Sequence, residues 1–258
     1  MKLGVLQGRL SKPARGHYQE FPKQWLSEFE TLEAIGLDGS EWLITKDYSF
    51  NNPIYDSFDI IRQLPIFSIC VDTLVDSRIT NRDFLIHNLV DLCNIIKGSP
   101  IRVLTIPILD DSDLNDNNAR ALFCEAIKPI GEAFPSVKFA FEAEMSPEKL
   151  NEIVSLCDNF YVTYDTGNIT SCGVSHEDFI AFFEKKIINV HLKDRTYDRK
   201  TVAPLTGDTD FEFIFKKLSE IDYNGPFILQ TARANDGEEI DTIKKHKLIF
   251  EKLYEKYF

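Results

Sequence analysis

The 258-residue chain has no apolar stretch approaching a membrane span, which needs roughly 20 consecutive apolar residues. It is also short of basic charge: 29 Lys and Arg stand against 41 Asp and Glu, a formal net charge of −12. That balance argues against a nucleic-acid partner, which would want a basic face. Cysteines are few and badly spaced for cross-linking. Cys70, Cys93, Cys124, Cys157 and Cys172 include no Cys-x-x-Cys pair, so neither a disulfide framework nor a zinc knuckle is expected, and a reduced compartment fits. The start of the chain has only a short apolar run before Arg9, without the apolar region and small-residue cleavage site of a secretory signal. A cytoplasmic protein is therefore the expectation. No Gly/Ser-rich linker, low-complexity tract or charge block divides the chain, which reads as one domain over residues 1–258. A dinucleotide-binding sheet would carry Gly-x-Gly-x-x-Gly after its first strand; Gln7-Gly8-Arg9-Leu10 lacks it.

What is present is a repeating alternation. Short apolar runs at Lys2–Gln7, Asp38–Ile44, Ile66–Val71, Ile101–Ile106, Val137–Glu142, Phe160–Asp165, Ile187–Leu192 and Pro226–Gln230 read as buried parallel strands. Helical periods lie between them. Trp25, Phe29, Leu32 and Ile35 share one face, and Gly36 stands at the C-cap position. Phe84 to Ile96 repeats an apolar face, and Ser146-Pro147-Glu148 has an N-cap residue followed by proline at the first helical position. Thr209-Asp210-Phe211-Glu212 predicts a capping box opening a helix over Phe211–Ile221, and a last helix is expected from about Asp236 to Tyr257. Strict β-α alternation with eight units predicts a single (β/α)8 TIM barrel of the α/β class, for which about 250 residues suffice.

In such a barrel the C-terminal strand ends converge on one mouth. The last four runs end in Glu142, Asp165, His191 and Gln230. Two carboxylates, an imidazole and an amide oxygen at one mouth make a plausible divalent-metal site. Each residue also has an ordinary structural role open to it: Glu142 a salt bridge, with Glu144 two residues on competing for the ligand position, Asp165 a turn before Gly167, His191 a place in the core, and Gln230 a hydrogen bond beside the ligands. His17, His87, His176 and His246 lack this context and read as surface or helix residues.

Taken together, Phe141-Glu142, Tyr164-Asp165-Thr166-Gly167-Asn168, Val190-His191-Leu192-Lys193-Asp194, Gly207-Asp208-Thr209-Asp210-Phe211 and Gly225-Pro226-Phe227-Ile228-Leu229-Gln230 resemble the xylose-isomerase-like TIM-barrel superfamily. Within it the chain is similar to the sugar-phosphate isomerases and epimerases. Gly8-Arg9-Leu10-Ser11 and Gly36-Leu37-Asp38-Gly39-Ser40-Glu41-Trp42 resemble the hexulose-6-phosphate isomerase-like branch. The resemblance implies one divalent ion, Mn²⁺, Mg²⁺, Co²⁺ or Zn²⁺, held by Glu142, Asp165, His191 and, where the family has a second Glu, Gln230. An amide can ligate through oxygen but brings no charge and cannot serve as a base. In the family's epimerases the first and fourth ligands are the two acid/base groups, so a two-base epimerisation on Glu142 and Gln230 is in doubt.

The expected chemistry is proton transfer through a metal-stabilised enediolate. Glu142 is the single base, with Glu41, Glu144 or Asp194 to supply a second where one is needed. Arg9, Lys193, Asp194, Arg195 and Arg233 follow strands one, seven and eight, where these barrels often hold phosphate, and are the candidate contacts to a sugar or sugar phosphate. Pairing of the basic residues with surface acids is the alternative. The reading admits a homo-oligomer. Two other functions stand beside it: a catalytically altered barrel that binds sugars, and a lyase or dehydratase with the same metal chemistry. An apurinic-endonuclease-type phosphodiesterase is a distant third, because its extra histidines are replaced by Val71-Asp72, Pro107 and Asn168.

Overall fold

Eight parallel strands close on themselves around a polar and apolar interior. The computed structural model describes residues 1–46, 51–233 and 235–258. The strands are β1 (Lys2–Leu6), β2 (Gly39–Leu43), β3 (Ile66–Cys70), β4 (Val103–Ile108), β5 (Lys138–Ala143), β6 (Phe160–Asp165), β7 (Ile187–Leu192) and, after a short hairpin β8 (Asp194–Arg195) and β9 (Thr201–Val202), β10 (Pro226–Leu229). Barrel strands pair in chain order, and β10 closes the ring on β1 with Lys2 opposite Pro226. This is the expected (β/α)8 barrel. The fourth strand is displaced by two residues from its predicted span, and the others agree to within a residue at each end. The β8–β9 hairpin has no counterpart in the sequence reading.

Helices α1 (Trp25–Ala34), α2 (Pro53–Asp56), α3 (Phe58–Ile61), α4 (Arg82–Ile96), α5 (Asn117–Ala133), α6 (Pro147–Val154), α7 (Thr166–Ser171), α8 (His176–Phe183), α9 (Phe211–Glu220) and α10 (Glu239–Tyr257) lie between and around the strands, and all of α7 but Ser171 is buried. None of the described helices is long and apolar enough to cross a membrane. The apolar face of α9, Phe211, Ile214, Phe215 and Leu218, follows the helical period and is fully buried. Phe215 stacks on Phe227 of β10, with centroids 5.3 Å apart. The predicted capping box is not formed. Asp210 is the N-cap, and its carboxylate accepts from Phe213 N at 3.0 Å. Thr209 is turned inward and bonds Thr170 instead. Its hydroxyl therefore serves the barrel rather than the helix end. The last helix begins at Glu239 rather than near Asp236, after Gly237 in a left-handed conformation. His246 is buried in α10 against Thr231, and His176 opens α8, while all five cysteines are free.

Alternate strand residues point inward, and the inward layer beneath the mouth is polar. Glu41 of β2 accepts hydrogen bonds at one oxygen from Ser68 of β3, Thr105 of β4 and Asn189 of β7, at 2.8, 2.8 and 2.9 Å. All four residues are completely buried. Desolvation makes an unpaired charge there costly, and the three donors offset it at one Glu41 oxygen, while Asn189 Oδ1 is left without a hydrogen-bond partner among the described residues.

Candidate metal centre

The sheet register brings the predicted ligands together. Asp165, the last residue of β6, lies opposite His191 of β7, and His191 lies opposite Ile228 of β10. Glu142 stands one residue before the end of β5. Ligand atoms of Glu142, Asp165 and His191 all lie within 4.8 Å of one another, and all three residues are buried. His191 Nδ1 is 3.3 Å from Glu142 Oε2 and 3.8 Å from Asp165 Oδ2.

The donor set fits a divalent ion on the evidence of its unsatisfied atoms. Asp165 Oδ2, His191 Nδ1 and Gln230 Oε1 are buried and have no hydrogen-bond partner. Buried polar atoms are nearly always satisfied, and acceptor atoms left without hydrogen bonds in one mouth are chemically suited to a divalent ion. Asp165 Oδ2 does stand 2.8 Å from Lys193 Nζ as an ion pair, an ammonium occupying space beside the ligands. Carboxylate and amide oxygens with one imidazole suit several divalent ions and do not single one out.

His191 is oriented from below. Its Nε2 is 2.8 Å from Glu41 Oε2. A proton on Nε2 toward that carboxylate leaves the Nδ1 lone pair facing Glu142 and Asp165, the arrangement by which a carboxylate sets a ligating histidine's tautomer. Burial alone would lower the imidazole pKa, but Glu41 and Glu142 outweigh it and push it up to about 10. Burial raises the Glu41 carboxyl, yet His191 and the hydroxyl donors hold it below its ordinary value. Glu142 is moved up, by desolvation first and by Asp165 as well. Asp165 goes down because Lys193 and His191 more than offset its burial. Asn168 of α7 donates to Glu142 Oε1 at 2.7 Å, fixing that carboxylate and leaving Oε2 toward the histidine.

A cavity of about 380 Å³ opens above the cluster, lined by Glu142, Lys193, Arg195, Gln230 and Asp72 among others. A recess of about 420 Å³ beside α1 contains none of the residues of the cluster. The other predicted contacts are distributed unequally. Glu144 is not at the cluster; it pairs with Arg195 at 2.7 Å and with Arg199 of the hairpin turn. Asp194 does not line the cavity. Its carboxylate accepts from Thr206, Gly207 and Thr209 backbone amides at 3.1, 2.9 and 3.2 Å, closing the loop that carries the hairpin. A side chain at Gly207 would run into that carboxylate, which is why glycine stands there. Glu41 is a layer below the mouth with its oxygens toward His191 and three donors.

Arg9 and Arg233 are clasps. Arg9 donates to the carbonyls of Tyr18 and Thr231, at 2.9 and 3.3 Å, and to Gln19 Oε1 at 2.9 Å. Arg233 donates to the carbonyls of Tyr18 and Gly8, at 2.7 and 2.8 Å. Together they hold the segment after β1 across the rim, with the Tyr18 ring 4.6 Å above the Arg9 guanidinium.

Sequence reasoning missed Asn168 and Asp72 as site residues and missed the polar layer under the ligands. A signal for the layer was present. Asn189 precedes His191 by two residues in an apolar strand, so both face the barrel interior. A signal existed for Asn168 and Asp72 as well, since both stand where the endonuclease-type branch would carry histidines, but their partners are set by the barrel's closure.

Solved structures share this architecture along their whole length. The IolI protein with a bound zinc atom superposes with a TM-score of 0.75 at 18% identity, covering 100% of this chain and 99% of that one. A D-tagatose 3-epimerase-like protein gives 0.72 at 19% identity, covering 99% of each chain. L-ribulose 3-epimerase gives 0.75 at 13% identity, covering 99% of this chain and 95% of that one. At such identities the likeness is one of fold. No curated protein sequence matches the chain. The family profile for the xylose isomerase-like TIM barrel matches residues 29–248, so a barrel with carboxylates and a histidine gathered at the ends of its fifth to seventh strands belongs to the xylose isomerase-like TIM-barrel family.

Proposed function

We propose that this protein is a divalent-metal-dependent sugar isomerase that moves a proton between adjacent carbons with Glu142 as its base. The observation that carries the reading is the buried Glu142–Asp165–His191 cluster, with atoms that make no hydrogen bond, beside an open cavity that Glu142 and Gln230 line. Glu142, Asp165, His191 and Gln230 would hold the ion. When bound, it supplies a Lewis acid that polarises a carbonyl and neighbouring hydroxyl and acidifies the C–H between them.

The chain's own groups account for the rest. Glu142 is desolvated, and burial moves its carboxyl up from the ordinary value; it is the carboxylate that takes and returns the proton. Asn168 holds one of its oxygens, so the other is presented in a fixed direction. Lys193 places an ammonium at the cavity wall, where oxygen charge develops on the substrate. Glu41 acts through His191 as a positioning residue. Gln230 brings no acid or base, and this favours return of the proton on the face from which it came, as an aldose–ketose isomerisation requires, over a two-base epimerisation. The named activities of the epimerase-type neighbours agree with carbohydrate C–H chemistry in this fold.

The test is metal loading followed by hydrogen exchange from deuterated water into free pentoses and hexoses. Exchange that requires both the ion and Glu142 is expected. Stoichiometric metal binding and sugar binding without any exchange would instead make this a barrel that only binds sugars.

A further inference from the structure

The basic residues that suit a phosphate group by sequence are nearly all engaged elsewhere. Arg9 and Arg233 donate to carbonyls of their own loops and do not line the cavity. Lys193 faces Asp165 at 2.8 Å, and Arg195 faces Glu144 at 2.7 Å. Of the lining cations that leaves Lys46, exposed on the rim and 3.8 Å from Asp76. Against it stand three lining acids besides Glu142: Asp72, which follows β3, and Asp110 and Asp111, which follow β4. Among the described residues no side chain bonds or pairs with the Asp72 carboxylate, although it is half-buried in the cavity wall. Burial first, and Glu142 second, push its pKa up to about 6 against the more distant charges of Lys46, Arg9 and Lys193.

We propose that this mouth takes an uncharged polyhydroxylated substrate and turns away its phosphorylated counterpart, with Asp72 as the residue that makes the distinction. The inference rests on the sugar-isomerase reading and deepens it. A carboxylate without a partner is a strong acceptor for neutral hydroxyls, two of which it can hold at once. The same carboxylate repels a phosphate dianion, and Asp110 and Asp111 extend the unfavourable field to the rim. The Tyr18 ring, also lining the cavity and 41% exposed, offers a flat wall for the C–H face of a sugar.

The experiment is calorimetry on the Mn²⁺-loaded protein with D-fructose, D-tagatose and D-ribulose, each beside its terminal phosphate, and with inorganic phosphate. Free sugars are expected to bind at least about tenfold more tightly than their phosphates, and inorganic phosphate not at all. Asp72→Asn should narrow the ratio several-fold by tightening the phosphates and weakening the free sugars. Asp178→Asn removes an equal charge from the exposed side of α8 and should leave the ratio alone. Equal or tighter binding of the phosphates, or a ratio that Asp178→Asn moves as much as Asp72→Asn, overturns the inference. Deuterium exchange in the same samples separates the two levels. Exchange into the phosphates but not the free sugars keeps the isomerase and removes the selectivity. A free-sugar preference without exchange keeps the selectivity and removes the isomerase. Failure of both series to bind at millimolar concentration removes both.

Discussion

Metal binding should release close to one proton, and its affinity should climb with pH, because the imidazole that would ligate the ion is protonated without it. His191 has its pKa pushed up to about 10 by Glu41 and Glu142 against the effect of burial. An ion at Nδ1 must displace that proton. At about pH 7 the displacement spans roughly three pH units, and at about 1.4 kcal/mol per unit it costs about 4 kcal/mol of apparent affinity. The sign is fixed: below the folded-state pKa the proton competes, so affinity falls about tenfold for each unit of acidification and levels off near pH 10. The metal-free fold responds the other way. A histidine raised from about 6.5 contributes stability that is fully present below about pH 6.5 and is lost as pH rises through about 10. Calorimetry with Mn²⁺ between about pH 6 and 8, in buffers of different ionisation enthalpy, reads both the slope and the proton count. Glu41→Gln removes the carboxylate at Nε2 and should reduce the proton release at neutral pH. An affinity flat across this window, with no proton released, would refute the assignment of His191 as both ligand and partner of Glu41.

Further outcomes follow from the same geometry. Glu142→Gln should depress solvent exchange by about 10²–10⁴-fold while the fold stays intact by circular dichroism, as loss of a positioned base requires; a variant of wild-type activity places the base elsewhere. Gln230→Glu adds a formal charge beside the ligands and should tighten the metal, seen by calorimetry, and should raise any exchange at the opposite substrate face if a second base is all that epimerisation lacks. Asp194→Ala leaves three backbone amides of residues 206, 207 and 209 without their acceptor, a loss of about 1–3 kcal/mol by denaturant titration, accompanied by faster amide exchange in that loop. Phe215→Ala empties a site packed between Phe227 and Phe250 and should cost about 3–5 kcal/mol, with metal affinity in the folded protein unaltered.

The sequence by itself determined the barrel and the ends of its ligand-bearing strands. Apolar runs alternating with helical periods leave a closed parallel sheet as the arrangement that buries every run, and Glu142, Asp165 and His191 stand at or one residue before the ends of theirs in the structure. It also placed an amide, Gln230, at the end of the eighth run. The tertiary structure alone decided what those residues meet. Glu41 and His191 are far apart along the chain, and only the closed sheet places them 2.8 Å apart. Glu144 had the same local claim to a ligand role as Glu142, and only the fold of the β8–β9 hairpin, which brings Arg195 and Arg199 over it, removes that claim. The same holds for Arg9 and Arg233. A guanidinium after a strand end is equally suited to a phosphate or to main-chain carbonyls, and the path of the segment after β1 settles the matter by offering Tyr18 and Gly8 carbonyls first. Hydrophobic period is a local property carried by each strand and helix, whereas the partner of a polar side chain depends on which other strands the barrel's closure brings beside it.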